Sequence, residues 1–379
     1  MLKRFEVKNY RTFKNRIVID FSNVGGYKFN QDCVSDNTIT KMLIYGKNAT
    51  GKTNLGRALM DLRALMRGDL KTNNYSSYML NADSSDGYST FKYVFVFNKH
   101  ELIYTYKKTS EDIIIAEELK LGREKVFANN FNEVEVDDDK LSNIGVTAVS
   151  TEKYIYNVSN VKENNKIPFL RWIINNTSYD RLSLLGKLDD YLRSMILINV
   201  SMQMWDDNPR YNEMFFELLD REDNLKGFEE FLNVMGISCK LNLIPLPDGT
   251  KQLYFVHKKP VPFYETASSG TRSLTNLYKK VIVFSESSLI YLDEFDAFYH
   301  YEMAEKLVKY FKKKYPNTQM ILTTHNTNLM TNKIMRPDTL FILSEAGKLT
   351  ALCDATEREL REGHNLEKMY ISGEFDEYE

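Results

Sequence analysis

The stretch Gly46-Lys47-Asn48-Ala49-Thr50-Gly51-Lys52-Thr53, with Asn54 behind it, fits the pattern G-x-x-x-x-G-K-[ST] in full. Ahead of it, Met42 to Tyr45 is a short apolar run of the kind a buried parallel strand needs. Beyond it, Leu55, Leu59, Leu62 and Met66 recur at the spacing of one helix face. Strand, loop and helix in that order build a cradle for phosphate. Glycines let the backbone curl round anionic oxygens, and the amides of the first helical turn point at them with the helix dipole behind. Lys52 is expected to reach the β and γ phosphates of ATP, Thr53 to hold Mg²⁺, and the whole loop from Gly46 to Asn54 to contact the nucleotide.

Two further strand ends carry chemistry. The run Leu289-Ile290-Tyr291-Leu292 closes on Asp293-Glu294, so an acid at the end of a buried strand can serve the metal while the next orients and deprotonates an attacking water. The run Met320-Ile321-Leu322 leads to Thr323-Thr324-His325-Asn326, and a histidine at the carboxyl edge of such a sheet is placed where open α/β sheets bind ligands. Asp296, His300 and His364 are left without a role, and Arg358 with His364 makes only a faint ribonuclease-like pair.

Toward the amino terminus, alternating segments around Phe5 and Val7, then Ile17, Ile19 and Phe21, predict two strands, with Arg11 in the turn between them as a candidate nucleotide contact. Residues 73–90 read as a polar surface loop. Phe91, Tyr93, Phe95 and Phe97, then Leu102, Tyr104 and Tyr106, form a hairpin whose aromatic ladder reads as a buried face rather than a base-stacking platform. From about Pro168 to Met235 the period turns helical, through Leu182, Leu185 and Leu188 and then Leu225, Phe228, Phe231 and Leu232. Glu265 to Thr271, before the helical face Leu274, Leu277, Tyr278 and Val281, is either a plain helix cap or a second phosphate-binding helix start.

The chain of 379 residues, 43% apolar, is long enough for one large core or two moderate ones. A net charge of −2 supplies no global pull toward nucleic acid or membrane. Cys33, Cys239 and Cys353 have no spacing that suggests zinc or a disulfide framework, and no run is long and apolar enough to cross a bilayer. A cytoplasmic protein is the expectation.

Taken in order, Gly46 to Thr53, Ser268-Ser269-Gly270, Leu289 to Glu294 and His325 resemble the motifs of ABC-class ATPases. With Asn9-Tyr10-Arg11-Thr12-Phe13 at the start, the chain is most similar to the branch of RecF, structural-maintenance-of-chromosomes and overcoming-lysogenization-defect ATPases. Arg336-Pro337-Asp338 and the tail from Asn365 to Phe375 resemble the ending of bacterial abortive-infection ATPases. The resemblance implies an α/β fold: a P-loop ABC-type ATPase head with a mixed or parallel sheet, an antiparallel β lobe and a helical insertion. The corresponding spans are 1–70 with 240–379 for the ATPase core, 71–160 for the lobe and 161–239 for the insertion. It further implies a head-to-tail dimer in which Ser268, Ser269 and Gly270 of one copy close over the nucleotide on Lys52 of the other. Asp293 would join Thr53 on Mg²⁺, Glu294 would be the base and His325 the γ-phosphate sensor.

Three features depart from the pattern. A serine stands where the signature has its first glycine, Ala49 stands where the phosphate loop has one, and Gln203 is an unsupported candidate for the glutamine loop. The expected function is a slow, regulatory ATPase switch of an anti-phage system that controls a co-encoded effector or toxin. The alternative is a DNA-repair ATPase binding duplex ends through residues such as Lys312, Lys313 and Lys314. A transporter nucleotide domain fits the aromatic lobe and the tail less well.

Overall fold

The structure is a computed structural model that describes residues 1–68, 79–200, 209–221, 223–247, 249–282 and 286–379. Gln203 and residues 73–78 of the expected surface loop lie outside the described residues.

Two sheets organise it. The first has six strands in the order Ile196–Asn199, Leu289–Asp293, Gln319–Thr324, Lys41–Tyr45, Leu340–Leu343 and Leu349–Ala351. The first five are mutually parallel and the last is antiparallel. Its strands are nearly unbroken apolar runs because both faces are covered. Tyr291 and Leu289 point into one core, Ile290 and Leu292 into the other, and Met42 and Ile44 are likewise divided from Leu43 and Tyr45. The second sheet is antiparallel, with seven strands from Val134–Val136 through Ser89–Phe97 to Leu2–Lys8 and Ile17–Asp20.

The helix Lys52–Arg67 lies between them. Its apolar stripe of Leu55, Leu59 and Leu62 is fully buried. The Tyr93 hydroxyl, from the antiparallel sheet, donates to the carbonyls of Ala58 and Leu59 at 2.9 and 3.2 Å. From the other side the Tyr291 hydroxyl donates to the Lys52 carbonyl at 2.5 Å. Gly56 makes that approach possible, since a Cβ there would come within 2.5 Å of the Tyr291 ring. Phe91, Tyr93, Phe95, Tyr104 and Tyr106 are buried, and Phe91 stacks on Tyr106 with ring centroids 4.9 Å apart. The ladder is core, as its alternation predicts.

A buried ion cluster pins the same helix to the lobe. Lys108 Nζ donates to Asp61 Oδ1 at 2.8 Å and Asp112 Oδ1 at 2.9 Å, and the Tyr106 hydroxyl donates to Asp61 Oδ2 at 2.6 Å. Although burial opposes charge on Lys108, Asp61 and Asp112 outweigh it and hold the ammonium above its ordinary range. Removing one member of such a set leaves the others charged and unpaired. Lys108→Ala is therefore expected to lower the unfolding free energy by about 3–5 kcal/mol, read as a fall in denaturant midpoint at unchanged slope.

Two sequence-based expectations differ from the observed arrangement. The strands Leu2–Lys8 and Ile17–Asp20, placed above with the ATPase core, continue the sheet of the β lobe through pairing with Ser89–Phe97. The strand Ile196–Asn199, inside the span read as a helical insertion, pairs in parallel with Leu289–Asp293. At four residues it is shorter than the window in which periodicity is legible. Leu182 lies outside the helix Leu184–Arg193 and is exposed, whereas Leu185 and Leu188 are buried on it.

Candidate nucleotide-binding site

The register of the parallel sheet aligns the strand ends. Asn199 pairs with Asp293, Leu292 with Leu322, and Thr324 with Tyr45, so the Gly46 loop, the two acids and the histidine segment emerge at one edge. At that edge Lys52 is buried, and its Nζ donates to the carbonyls of Gly46 at 2.6 Å and Lys47 at 2.9 Å. Burial lowers its pKa, while the carboxylates of Glu294, Asp293 and Asp296 pull the other way.

Gly51 has φ 104°, and a Cβ there would meet Thr12 Oγ1 at 2.6 Å, so the loop Asn9–Phe13 lies directly against the phosphate loop. Asn54 Nδ2 reaches the same Thr12 Oγ1 at 3.4 Å. The Arg11 guanidinium rests on the Tyr10 ring, 5.5 Å from its centroid. Ala49, the residue that departs from the usual glycine, has φ 65°, a conformation that costs an L-residue about 1–2 kcal/mol. Ala49→Gly is accordingly expected to stabilise the protein by up to about 1 kcal/mol, measured by denaturant unfolding.

Asp293 is fully buried and accepts three hydrogen bonds. Its Oδ2 accepts from Thr53 Oγ1 at 2.6 Å and Asn199 Nδ2 at 2.8 Å, and its Oδ1 from Thr323 Oγ1 at 2.8 Å. Glu294 is half-buried at φ 51°, and its amide donates to the same Thr323 Oγ1 at 2.9 Å. Its carboxylate makes no hydrogen bond among the described residues. A non-glycine residue in the left-handed region at a strand end is a strained position of the kind that collects at functional sites. His325 follows the strand Gln319–Thr324 and is exposed. Asp296 is buried, which raises its pKa, and it accepts from Thr324 Oγ1 at 2.8 Å.

The signature segment stands apart. Ser268 is the N-cap of the helix Ser269–Val281, its Oγ accepting from the Thr271 amide at 3.2 Å. Ser268 and Ser269 are exposed. No hydrogen bond or ion pair among the described residues joins them or Gly270 to the phosphate loop. The tail returns to that loop: Tyr370 packs on Tyr45 with their hydroxyls 3.0 Å apart, and Glu379 pairs with Lys47. Arg336 and Asp338 form a buried 2.7 Å ion pair that also grips Gly25.

Other candidates fare differently. His364 Nδ1 accepts from the Arg361 amide, and His300 is exposed at the start of the helix Tyr301–Lys314. Lys312 is buried, paired with Asp32 at 2.8 Å and bonded to the Ile334 carbonyl at 2.7 Å, so it belongs to the core. Only Lys313 and Lys314 of that run are exposed.

Sequence reasoning missed Asn199, Thr323 and Thr324 as members of the site. The signal for Asn199 was available, a short apolar run from Met195 to Ile198 ending in a polar residue, but the helical period on both sides hid it. Among the described residues no group of three or more His, Cys, Asp or Glu is arranged to hold a metal, and no helix is long and apolar enough to cross a membrane.

A lysine in a phosphate loop, a hydroxyl bonded to the acid of a neighbouring strand, and a second acid beside it define a protein of the P-loop ATPase class. A family model described as "AAA domain, putative AbiEii toxin, Type IV TA system" matches residues 41–331, and the chain belongs to that family, AAA_21. The match begins at the first residue of the central strand Lys41–Tyr45. No curated protein matches the chain in sequence. Among solved structures it is similar to an SMC head bound to the C-terminal winged-helix domain of ScpA, at 14% identity and a TM-score of 0.49, covering 93% of this chain and 97% of that one. It is also similar to the SMC head domain from Thermotoga maritima, at 14% identity and a TM-score of 0.47, covering 92% and 98%.

Proposed function

We propose that the protein is an ATP-hydrolysing switch of an abortive-infection type anti-phage system, working as a head-to-tail dimer that controls a separate effector. The observation that carries the hydrolytic part is the convergence of Lys52, Thr53, Asp293 and Glu294 at one sheet edge. Lys52 supplies a positive charge whose donors are aimed into the loop, where it neutralises phosphate. The Thr53 hydroxyl and the Asp293 carboxylate are hard oxygen donors already 2.6 Å apart, a set that suits Mg²⁺, which takes one or two protein ligands and completes its shell with water and phosphate. When bound, that ion neutralises charge developing on the transferred phosphoryl group. Glu294, with its carboxylate unengaged, takes the proton of the attacking water. His325 donates to the γ-phosphate.

Dimerisation rests on a second observation. A Cβ at Gly270 would meet nothing nearer than Ser268 Oγ at 3.9 Å. No described residue of the protomer therefore requires glycine beside two exposed serines, and a bare backbone there suits the close approach of a ligand held by a second copy. The defence role draws on the family description, which names a putative toxin and a Type IV TA system, and on the tail that packs beside the phosphate loop.

The test is phosphate release together with light scattering. Mg²⁺-dependent ATP hydrolysis and an ATP-driven shift from monomer to dimer are expected. Absence of both overturns the reading. Pull-down from native cells is expected to recover a co-encoded protein. Retention of duplex DNA that depends on ATP and weakens steeply with salt would favour the repair reading instead. The burial of Lys312 removes one of the three lysines that reading relies on.

A further inference from the structure

Asp296 is a buried carboxylate for which neither the fold nor the proposed chemistry has yet supplied a use. It follows Asp293 and Glu294 in a tight turn: the Phe295 amide donates to the Thr323 carbonyl at 3.2 Å, and the Tyr299 amide to the Asp296 carbonyl at 3.0 Å. Phe295 is fully buried beneath it. Asp296 is thus held rigidly at 6% exposure. One oxygen, Oδ2, accepts from Thr324 Oγ1 at 2.8 Å, and Thr324 Oγ1 itself accepts from the Asn326 amide at 2.9 Å. The other oxygen, Oδ1, is buried and has no hydrogen-bond partner.

An unpaired buried carboxylate oxygen is costly, and a turn that needed only the Thr324 bond would be served by asparagine or serine. Oδ1 therefore has room for a further donor that the described residues do not supply. Asp296 is bonded to Thr324, which is bonded in turn to the Asn326 amide, so the polar neighbours next to Thr324 along the chain are His325 and Asn326. Asn326 Oδ1 accepts from the Asn328 amide and side chain at 3.1 and 2.9 Å, while its Nδ2 faces Asp296 without closing a bond to Oδ1. His325 is exposed and its ring makes no hydrogen bond among the described residues. Asp296 accepts from Thr324, the last residue of the strand Gln319–Thr324 and the partner of Tyr45 in the sheet, so it stands at the same sheet edge as the phosphate loop.

We propose that Asp296 is a positioning residue for His325, its Oδ1 accepting a hydrogen bond from one ring nitrogen while the other ring N–H faces the γ-phosphate. A cationic imidazole has two donors and no acceptor. A carboxylate on one side and a phosphate oxygen on the other satisfy both, and the carboxylate fixes the ring's orientation as carboxylate partners of functional histidines do elsewhere. The proposal rests on the ATPase reading above.

The experiment compares Asp296→Asn, His325→Ala, the double variant and Lys52→Ala for kcat, MgATP affinity and melting temperature. Asparagine preserves the acceptor for Thr324 and puts an N–H where the imidazole N–H would dock. Asp296→Asn is expected to lower kcat about 10- to 100-fold with MgATP affinity and melting temperature at parental values, and to cost nothing further once His325 is alanine. Should Asp296→Asn fail to fold, Asp296→Ser replaces it under the same criteria. Parental kcat in Asp296→Asn, or losses that multiply independently in the double variant, overturns the positioning role and leaves the ATPase reading standing. Parental hydrolysis with parental MgATP affinity in Lys52→Ala overturns the ATPase reading, and this proposal with it.

Discussion

Glu294→Gln is expected to cut ATP turnover by a factor on the order of 10²–10⁴ while MgATP still binds at parental affinity. The substitution keeps the size and shape of the side chain and removes only its capacity to take a proton. Glu294 makes no hydrogen bond among the described residues that glutamine would break, and its left-handed backbone is held by the Thr323 hydroxyl and by the buried turn around Phe295. The loss therefore falls on chemistry rather than on folding or binding. With hydrolysis blocked, the bound triphosphate keeps two protomers together, so light scattering in MgATP is expected to show a persistent dimer where the parent returns to monomer. Parental turnover in this variant would remove Glu294 from the mechanism.

Lys52→Ala produces the complementary result. The ammonium donates to the Gly46 and Lys47 carbonyls, which places it in the concavity of the loop, where charge-assisted bonds to phosphate form. Its loss is expected to weaken MgATP binding about 10- to 100-fold, measured by titration of a fluorescent nucleotide, and with it the ATP-driven dimer. Folding is affected less, because burial already works against the charged form of Lys52 and the carboxylates of Glu294, Asp293 and Asp296 only partly offset that cost. The two variants thus separate binding from turnover. One keeps affinity and loses rate, and the other loses affinity first. Lys52→Arg is expected to resemble Lys52→Ala, since a guanidinium is planar and too large for a pocket shaped to a compact ammonium.

Much of this site is legible in local patterns. A phosphate loop is one contiguous segment whose strand, turn and helix signals lie within reach of each other, and the apolar runs that end in Asp293-Glu294 and Thr324-His325 declare their strand ends directly. The helix cap at Ser268 was legible for the same reason, as a hydroxyl residue immediately before an amphipathic helix. The ambiguous features depended on partners distant in sequence. Lys312, a candidate DNA contact by its place in a lysine run, is instead enclosed by Asp32 and the Ile334 carbonyl. Asn199 falls inside the span read as a helical insertion, and only pairing with Leu289–Asp293 puts its side-chain amide on Asp293. The strands at the amino terminus alternated as expected, but alternation does not say which sheet a strand joins.

The linear chain alone determines the chemical inventory: a lysine directly after a glycine-bounded loop, adjacent acids after a buried strand, and a histidine after another, because each is written in a few neighbouring residues. Folding decided which members of that inventory meet. The parallel pairing of Ile196–Asn199, Leu289–Asp293, Gln319–Thr324 and Lys41–Tyr45 brings their carboxyl ends to one edge. Thr53, Asn199 and Thr323, from three separate segments, are thereby gathered on the single carboxylate of Asp293. The reason is the long range of sheet pairing: hydrogen bonds between strands more than 200 residues apart, as between Lys41–Tyr45 and Gln319–Thr324, leave no mark on the local pattern of either strand.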